Sequence, residues 1–259
     1  MKNSMKDAVR KQFQNNAGDY RDEPLFAAGE DLRYMVESVV LSGTERVLDI
    51  GTGAGHTALA FSPFVKKSIG IDLTEEMVEV AAKFAKDRGV KNIEFCVGDA
   101  ENLTFSDETF DLVTCRFAAH HFPNAKRAIR EISRVLKPGG IFLLVDHYAP
   151  ENPDLDTFVN DLDRLRDPSH VREYRLSEYR AWFVENGLSF QEKLMWDLPI
   201  EFENWVRRAR TPQDVRFQLI EFLRTASFPC KQAFRVEIDE EQKPISFCLK
   251  CSLLHGVKR

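Results

Sequence analysis

The chain contains no uninterrupted apolar run near the ~18 residues that a membrane-spanning helix needs. No internal repeat or low-complexity tract interrupts its 259 residues, so a repeat architecture is excluded. The opening MKNSMKDAVRKQFQNN is too polar for a secretion signal. Excess positive charge is missing too. Lys and Arg total 36 against 41 Asp and Glu, a net −5. A surface that neutralises many phosphates needs the opposite balance, so nucleic acid is not an expected partner. Cysteine is sparse. Cys248 and Cys251 form a lone CxxC in SFCLKCSLLHGV, with no second pair or nearby histidine cluster to complete a zinc site. That segment reads as a strand, and the odd spacing sends the two thiols to opposite faces. Cys96 and Cys115 end apolar runs and read as small core residues; Cys230 is isolated. No metal site is expected, and the cytoplasm is the expected compartment.

What is present is a globular composition, 43% hydrophobic and 30% charged. Met5, Val9 and Phe13 recur every four residues, which predicts a short amphipathic helix. Leu32, Met35, Val36, Val39 and Val40 predict a second, closed by Ser42-Gly43. Short apolar runs then alternate with helical stripes. Strands are predicted at Arg46 to Ile50, Ser68 to Ile71, Ile93 to Val97, Phe110 to Cys115 and Ile141 to Val145. Thr74 stands where it would N-cap the helix striped by Met77, Val80, Ala81, Phe84 and Ala85. Alternation of this kind predicts a doubly wound, mostly parallel α/β sheet. Helices are predicted over 153–166, 176–186 and 201–226, and long strands from Leu188 to Ile200 and Ile245 to Val257.

Ligands of open α/β sheets bind beyond the carboxyl ends of the strands. VLDIGTGAG, residues 47–55, sets three glycines there, between a strand and a helix. Glycine allows the sharp turn and the close approach of a ligand. The dinucleotide fingerprint G-x-G-x-x-G would need Gly or Ala where His56 stands. Asp72 ends the second strand, 21 residues after Gly51, where a carboxylate can accept from ribose hydroxyls and repel a 2′-phosphate. Asp99 ends the third, followed by Ala100, where carboxylate and backbone N–H suit an adenine edge.

VLDIGTGAG, IDLTEEMVEVA, VGDAENLTFSDETFDLVTC and REISRVLKPGGIFLLVD resemble, in order, the motifs of class I S-adenosylmethionine (SAM)-dependent methyltransferases. The ubiquinone/menaquinone-biosynthesis type and its small-molecule relatives are the most similar, over about residues 44–147. The resemblance implies a seven-stranded Rossmann-like sheet with an antiparallel last strand, and SAM as cofactor. It assigns Asp49, Gly51 and Gly53 to the methionine end of SAM, with Ala54 beside them. Asp72 and Leu73 fall to the ribose, Asp99 and Ala100 to the adenine, and Arg116 to the pocket wall. FQNNAGDY resembles an element that folds over the cofactor and makes Tyr20 a lid residue. One domain is expected: an N-terminal helical lid at 1–43, a SAM-binding core at 44–147, a later strand with helical cap segments at 148–242, and a final strand at 243–259.

His120 and His121, in RFAAHHFPN, are the candidates for proton transfer or substrate binding, since an ordinary imidazole titrates near neutrality. His147 follows the fifth strand and can face the same mouth. His170, with Arg172 and Arg175, either closes over the site to pair with an acidic substrate or lies in a solvated linker. Phe158, Leu162, Tyr174, Trp182, Trp196, Phe202 and Trp205 exceed what solvated helices need. Most are expected to pack, and some to wall a small-molecule pocket. The expected activity is methyl transfer from SAM to a carbon, oxygen or nitrogen atom of a small molecule. A non-catalytic SAM-binding protein is one alternative. An NAD-dependent oxidoreductase is the other, disfavoured by His56 and by the lack of Tyr-x-x-x-Lys: Asn152, Glu178 and Phe183 follow Tyr148, Tyr174 and Tyr179 at that spacing.

Overall fold

Five parallel strands form the frame: β1 Arg46–Ile50, β2 Lys67–Asp72, β3 Ile93–Val97, β4 Phe110–Arg116 and β5 Leu136–His147. They belong to a computed structural model that describes residues 2–14, 21, 23 and 27–259. Strand β8, Pro244–Val257, lies antiparallel between β5 and β6, Gln191–Glu201, which therefore runs in the same sense as the frame, in the order β3-β2-β1-β4-β5-β8-β6. The two-residue β7, Glu237–Ile238, pairs on β8 and makes the expected seven strands eight. The chain leaves β1 in one direction for β2 and β3, then returns to the other side of β1 for β4. The carboxyl ends of β1 and β4 therefore flank the switch point where such sheets bind ligands.

Helices cover both faces, which explains the continuous apolar strands. Along β5, Phe142 and Leu144 join one hydrophobic cluster, and Leu143 and Val145 another, as a period of two requires. The first cluster takes α5 (Ala125–Val135) and α7 (Leu176–Glu185). The second takes Met35 of α2 (Glu30–Glu37) and Phe61 of α3 (His56–Phe61). Helix α4, Glu75–Asp87, packs on β2 and β3, and α1, Lys2–Gln14, packs on α4. A third cluster joins α6 (Pro153–Arg166), α8 (Phe202–Arg208), α9 (Gln213–Thr225) and α10 (Phe228–Ala233) to Phe247 and Leu249 of β8.

Four expectations change. Helix α2 ends at Glu37, and Val40 is 99% exposed rather than on its buried stripe. Strand β3 is the sheet edge, so Cys96 is exposed, while Cys115 on the inner β4 is buried. The segment 148–242 is divided: α7 lies on the sheet, and the other helices hold a core of their own. Finally, the aromatic residues named for the cap pack into the three clusters, and none of them lines the cleft described next.

Candidate active site

A cleft of about 990 Å³, its mouth included, opens over the carboxyl ends of β1 to β4. Its floor is the turn after β1. Gly51, Gly53 and Gly55 all take positive φ, at 65°, 51° and 87°. A Cβ on Gly51 would overlap the Ala118 methyl, whereas one on Gly53 would meet no protein atom within 4 Å. The two glycines thus serve different ends: close packing at Gly51, open space above Gly53. Gly53 donates its N–H to Asp72 Oδ2 at 2.9 Å. Asp72 Oδ1 accepts from the Thr74 backbone N–H at 3.1 Å and hydroxyl at 3.0 Å. Thr74 holds the N-cap position of α4, but its hydroxyl is spent on Asp72, so the expected side-chain cap does not form. Burial lifts the Asp72 carboxyl above its ordinary range, and these donors pull against the rise.

At the end of β3, Asp99 Oδ1 accepts the Glu101 N–H at 2.9 Å, and Oδ2 takes the Lys6 ammonium at 2.7 Å. Lys6 also reaches Glu101 Oε2 at 3.1 Å. Helix α1 is thereby tied across the cleft, and Lys6 and Val9 join its wall. Nothing in the local sequence marks Lys6; only its position on the polar side of an amphipathic helix was legible. Arg116, buried at the end of β4, forms a two-pronged ion pair with Asp31 of α2 and lies 5.0 Å from the Phe117 ring. Phe117 has φ 50°, a strained left-handed conformation for an aromatic residue, and it lines the cleft beside Ala118, His121, Phe122 and Pro123.

Of the residues singled out from the sequence, Gly51, Gly53, Ala54, Asp72, Leu73, Asp99, Ala100, Arg116 and His121 meet in this wall. Asp49 does not reach it. It lies beneath the glycine turn, accepting from Thr52 Oγ1 at 2.6 Å and Thr114 Oγ1 at 2.8 Å, and burial pushes its carboxyl up to about 6. His120 stands behind His121, its Nδ1 2.6 Å from Asp146 Oδ1. Tyr20 lies outside the described residues. His170 belongs to neither expected arrangement. It is 2% exposed, with Nε2 3.2 Å from Asn160 Oδ1, while Arg172 and Arg175 are held on Asp156. The segment is therefore a packed loop.

The two neighbouring histidines are shifted in opposite directions. Burial opposes a proton on His120, but the Asp146 carboxylate outweighs it and holds His120 above its ordinary value. Burial, then the His120 charge, push His121 down to about 4. The Ser169 carbonyl, 3.1 Å from His121 Nδ1, can only accept, so Nδ1 carries the hydrogen and Nε2 the lone pair. Unfolded, His121 would protonate near 6.5. The unfolded chain then binds more protons, so the contribution of a neutral His121 is complete above pH 6.5 and is lost as pH falls from 6.5 toward 4. His121→Gln is expected to lose less stability than the wild type over that interval, read from urea midpoints. Parallel curves for the two proteins would refute the assignment.

Comparison with known proteins adds the family. The model of the "Methyltransferase domain" family matches residues 48–144. Across 247 residues the chain is 54% identical to the uncharacterized methyltransferase YcgJ of Bacillus subtilis (strain 168), spanning 95% of this chain and 98% of that one. The chain belongs to the SAM-dependent methyltransferases. This methyltransferase superposes on the crystal structure of YcgJ with a TM-score of 0.88 and 53% identity, over 89% of its own length and 98% of the other. It is also 40% identical over 124 residues to the ubiquinone/menaquinone biosynthesis C-methyltransferase UbiE of Pseudomonas entomophila (strain L48), or 46% of this chain and 48% of that one. Among the described residues no helix is long and apolar enough to cross a membrane.

Proposed function

We propose that this methyltransferase acts on a small organic acceptor, with Asp72, Asp99 and the glycine turn holding SAM and His121 facing the acceptor. The carrying observation is the two-ended cleft. Asp72, Asp99, Glu101 and Lys6 make one part polar, while Phe117, Ala118, Phe122 and Pro123 give the wall around His121 an apolar character. A pocket that is mostly apolar with a few convergent polar groups suits a small molecule. Tethered by Lys6, helix α1 bounds it on the side where a polymer would need an open groove.

The residues fit the cofactor. Space above Gly53 admits a ligand against the backbone. Asp72 lies in the cleft wall beside the Gly53 turn, where its carboxylate can accept from a ribose hydroxyl. A carboxylate offers about four acceptor sites, and Asp99 keeps one on each oxygen for the adenine amino group, beside the Ala100 backbone. Bound SAM supplies an electrophilic sulfonium methyl. The protein's own work is orientation and exclusion of water, which suffice for much of an in-line transfer. His121, neutral with its lone pair on Nε2, is suited to accept a hydrogen bond from the acceptor and align it. An imidazole depressed to about 4 is a weak proton store, so His121 orients rather than strips the acceptor. His120, held on Asp146, is the positioning residue behind it.

Calorimetry is expected to show binding of SAM and S-adenosylhomocysteine and none of NAD. Incubation with methyl-labelled SAM and a metabolite extract is expected to yield small molecules heavier by one methylene. Label confined to RNA or protein fractions would overturn the acceptor class. Binding without any transfer would favour the non-catalytic alternative.

A further inference from the structure

We propose that His147, Asp163 and Glu173 form a binding site for one divalent transition-metal ion that ties helix α6 and the loop before α7 to the end of β5. These residues stand 16 and 10 positions apart, at the last position of β5, in α6 and in that loop. Each offers a ligand atom, and the three atoms lie within 4.8 Å of one another. His147 Nδ1 is 3.6 Å from Glu173 Oε1. Bonds of roughly 2.0–2.2 Å to a common ion place neighbouring ligand atoms about 3 Å apart, so the three atoms must draw together around it, the His147–Glu173 pair by a few tenths of an ångström.

The independent observation is a buried carboxylate whose partner is another acid. Glu173 is 0% exposed, no N–H or hydroxyl group donates to either of its oxygens, its partner is the Asp163 carboxyl, and His147 Nδ1 has no hydrogen-bond partner. Buried charges are normally paired or bound to metal. Of the nearby cations, Arg166 acts on Asp163 through its charge and gives its Nε–H to the Trp205 carbonyl. Arg172 and Arg175 hold Asp156 at 2.8 and 2.5 Å, and His120 holds Asp146. A second group, His120, Asp146 and His147, has comparable spacing. Its carboxylate is already satisfied, because Asp146 accepts from His120 Nδ1 and from the backbone N–H groups of His120 and His147. Glu173 has no such N–H donors.

One imidazole with two carboxylates suits Mn²⁺, Fe²⁺, Co²⁺ or Zn²⁺. The His147 ring lies 5.1 Å from Phe117, so the ion would stiffen the back of the cleft wall without entering it.

The test uses the full-length protein stripped with chelator at pH 7.5 and dialysed against Zn²⁺, Mn²⁺ or Co²⁺. One ion per chain, a raised melting temperature and a Co²⁺ absorption spectrum of nitrogen–oxygen ligation are expected. Glu173→Gln and Asp163→Asn should each weaken binding at least tenfold, while Cys248→Ser with Cys251→Ser leaves it unchanged. Glu173→Gln removes a buried charge and should fold. If it misfolds, Asp163→Asn carries the comparison. Absence of stoichiometric binding by all three metals, or binding untouched by both acid variants, would overturn the site.

Discussion

Gly53→Val is expected to fold and to bind SAM at least 100-fold more weakly than the wild type, a loss of ~3 kcal/mol or more at 1.4 kcal/mol per tenfold. The fold survives because a Cβ at this position meets no protein atom within 4 Å. Its φ of 51° makes the backbone pay about 1–2 kcal/mol in left-handed strain, visible as a lower melting temperature. The remaining effect falls on the ligand, since the branched side chain fills the space over the turn. Asp72→Ala should be milder, at ~1–3 kcal/mol, through loss of a charge-assisted hydrogen bond and of the anchor for the Gly53 N–H. Calorimetric titration of both folded variants with SAM and S-adenosylhomocysteine checks the order. Gly53→Val binding within threefold of wild type would move the cofactor away from this turn.

Trp205→Ala is expected to cost ~3–5 kcal/mol of stability, the usual range for deleting a large buried aromatic ring. Trp205 is 2% exposed, meets Phe247 edge-on at 4.9 Å, and carries the Arg166 guanidinium 4.8 Å above its ring. The Arg166 Nε–H also bonds the Trp205 carbonyl at 3.1 Å, so collapse around the cavity would disturb that bond. Phe217, an aromatic residue of α9 that is 62% exposed, is the control, and Phe217→Ala should stay within about 0.5 kcal/mol. Urea unfolding of the three proteins decides it. Equal midpoints for Trp205→Ala and wild type would mean that the third cluster contributes little to global stability.

Strand ends were the most legible part of the site. Gly51, Gly53, Asp72, Asp99 and Arg116 are each one residue, or a few, beyond an apolar run, and in a parallel sheet all such ends point one way. Chain order along the sheet was not local information. Cys96 read as core because it ends an apolar run, yet β3 is an edge, and a local run cannot tell an inner strand from an outer one. Asp49 read as a ligand contact from its place in the motif, but two hydroxyls, one of them 65 residues away on β4, claim its carboxylate.

Periodicity, glycine punctuation and the carboxylates closing successive runs were thus enough for the α/β class, the cleft-bearing edge and most of its wall. These follow from the chain's nearest neighbours and from the fixed periods of helix and strand. Everything that depends on two distant segments meeting had to await the folded chain. Lys6 crosses to Asp99, Asp31 to Arg116, and His147 meets Asp163 and Glu173 through contacts that no spacing rule encodes. The same holds for the direction in which each histidine is shifted. His120 and His121 are adjacent and chemically identical, and they diverge because Asp146 approaches one ring, while the other is buried against its charged neighbour.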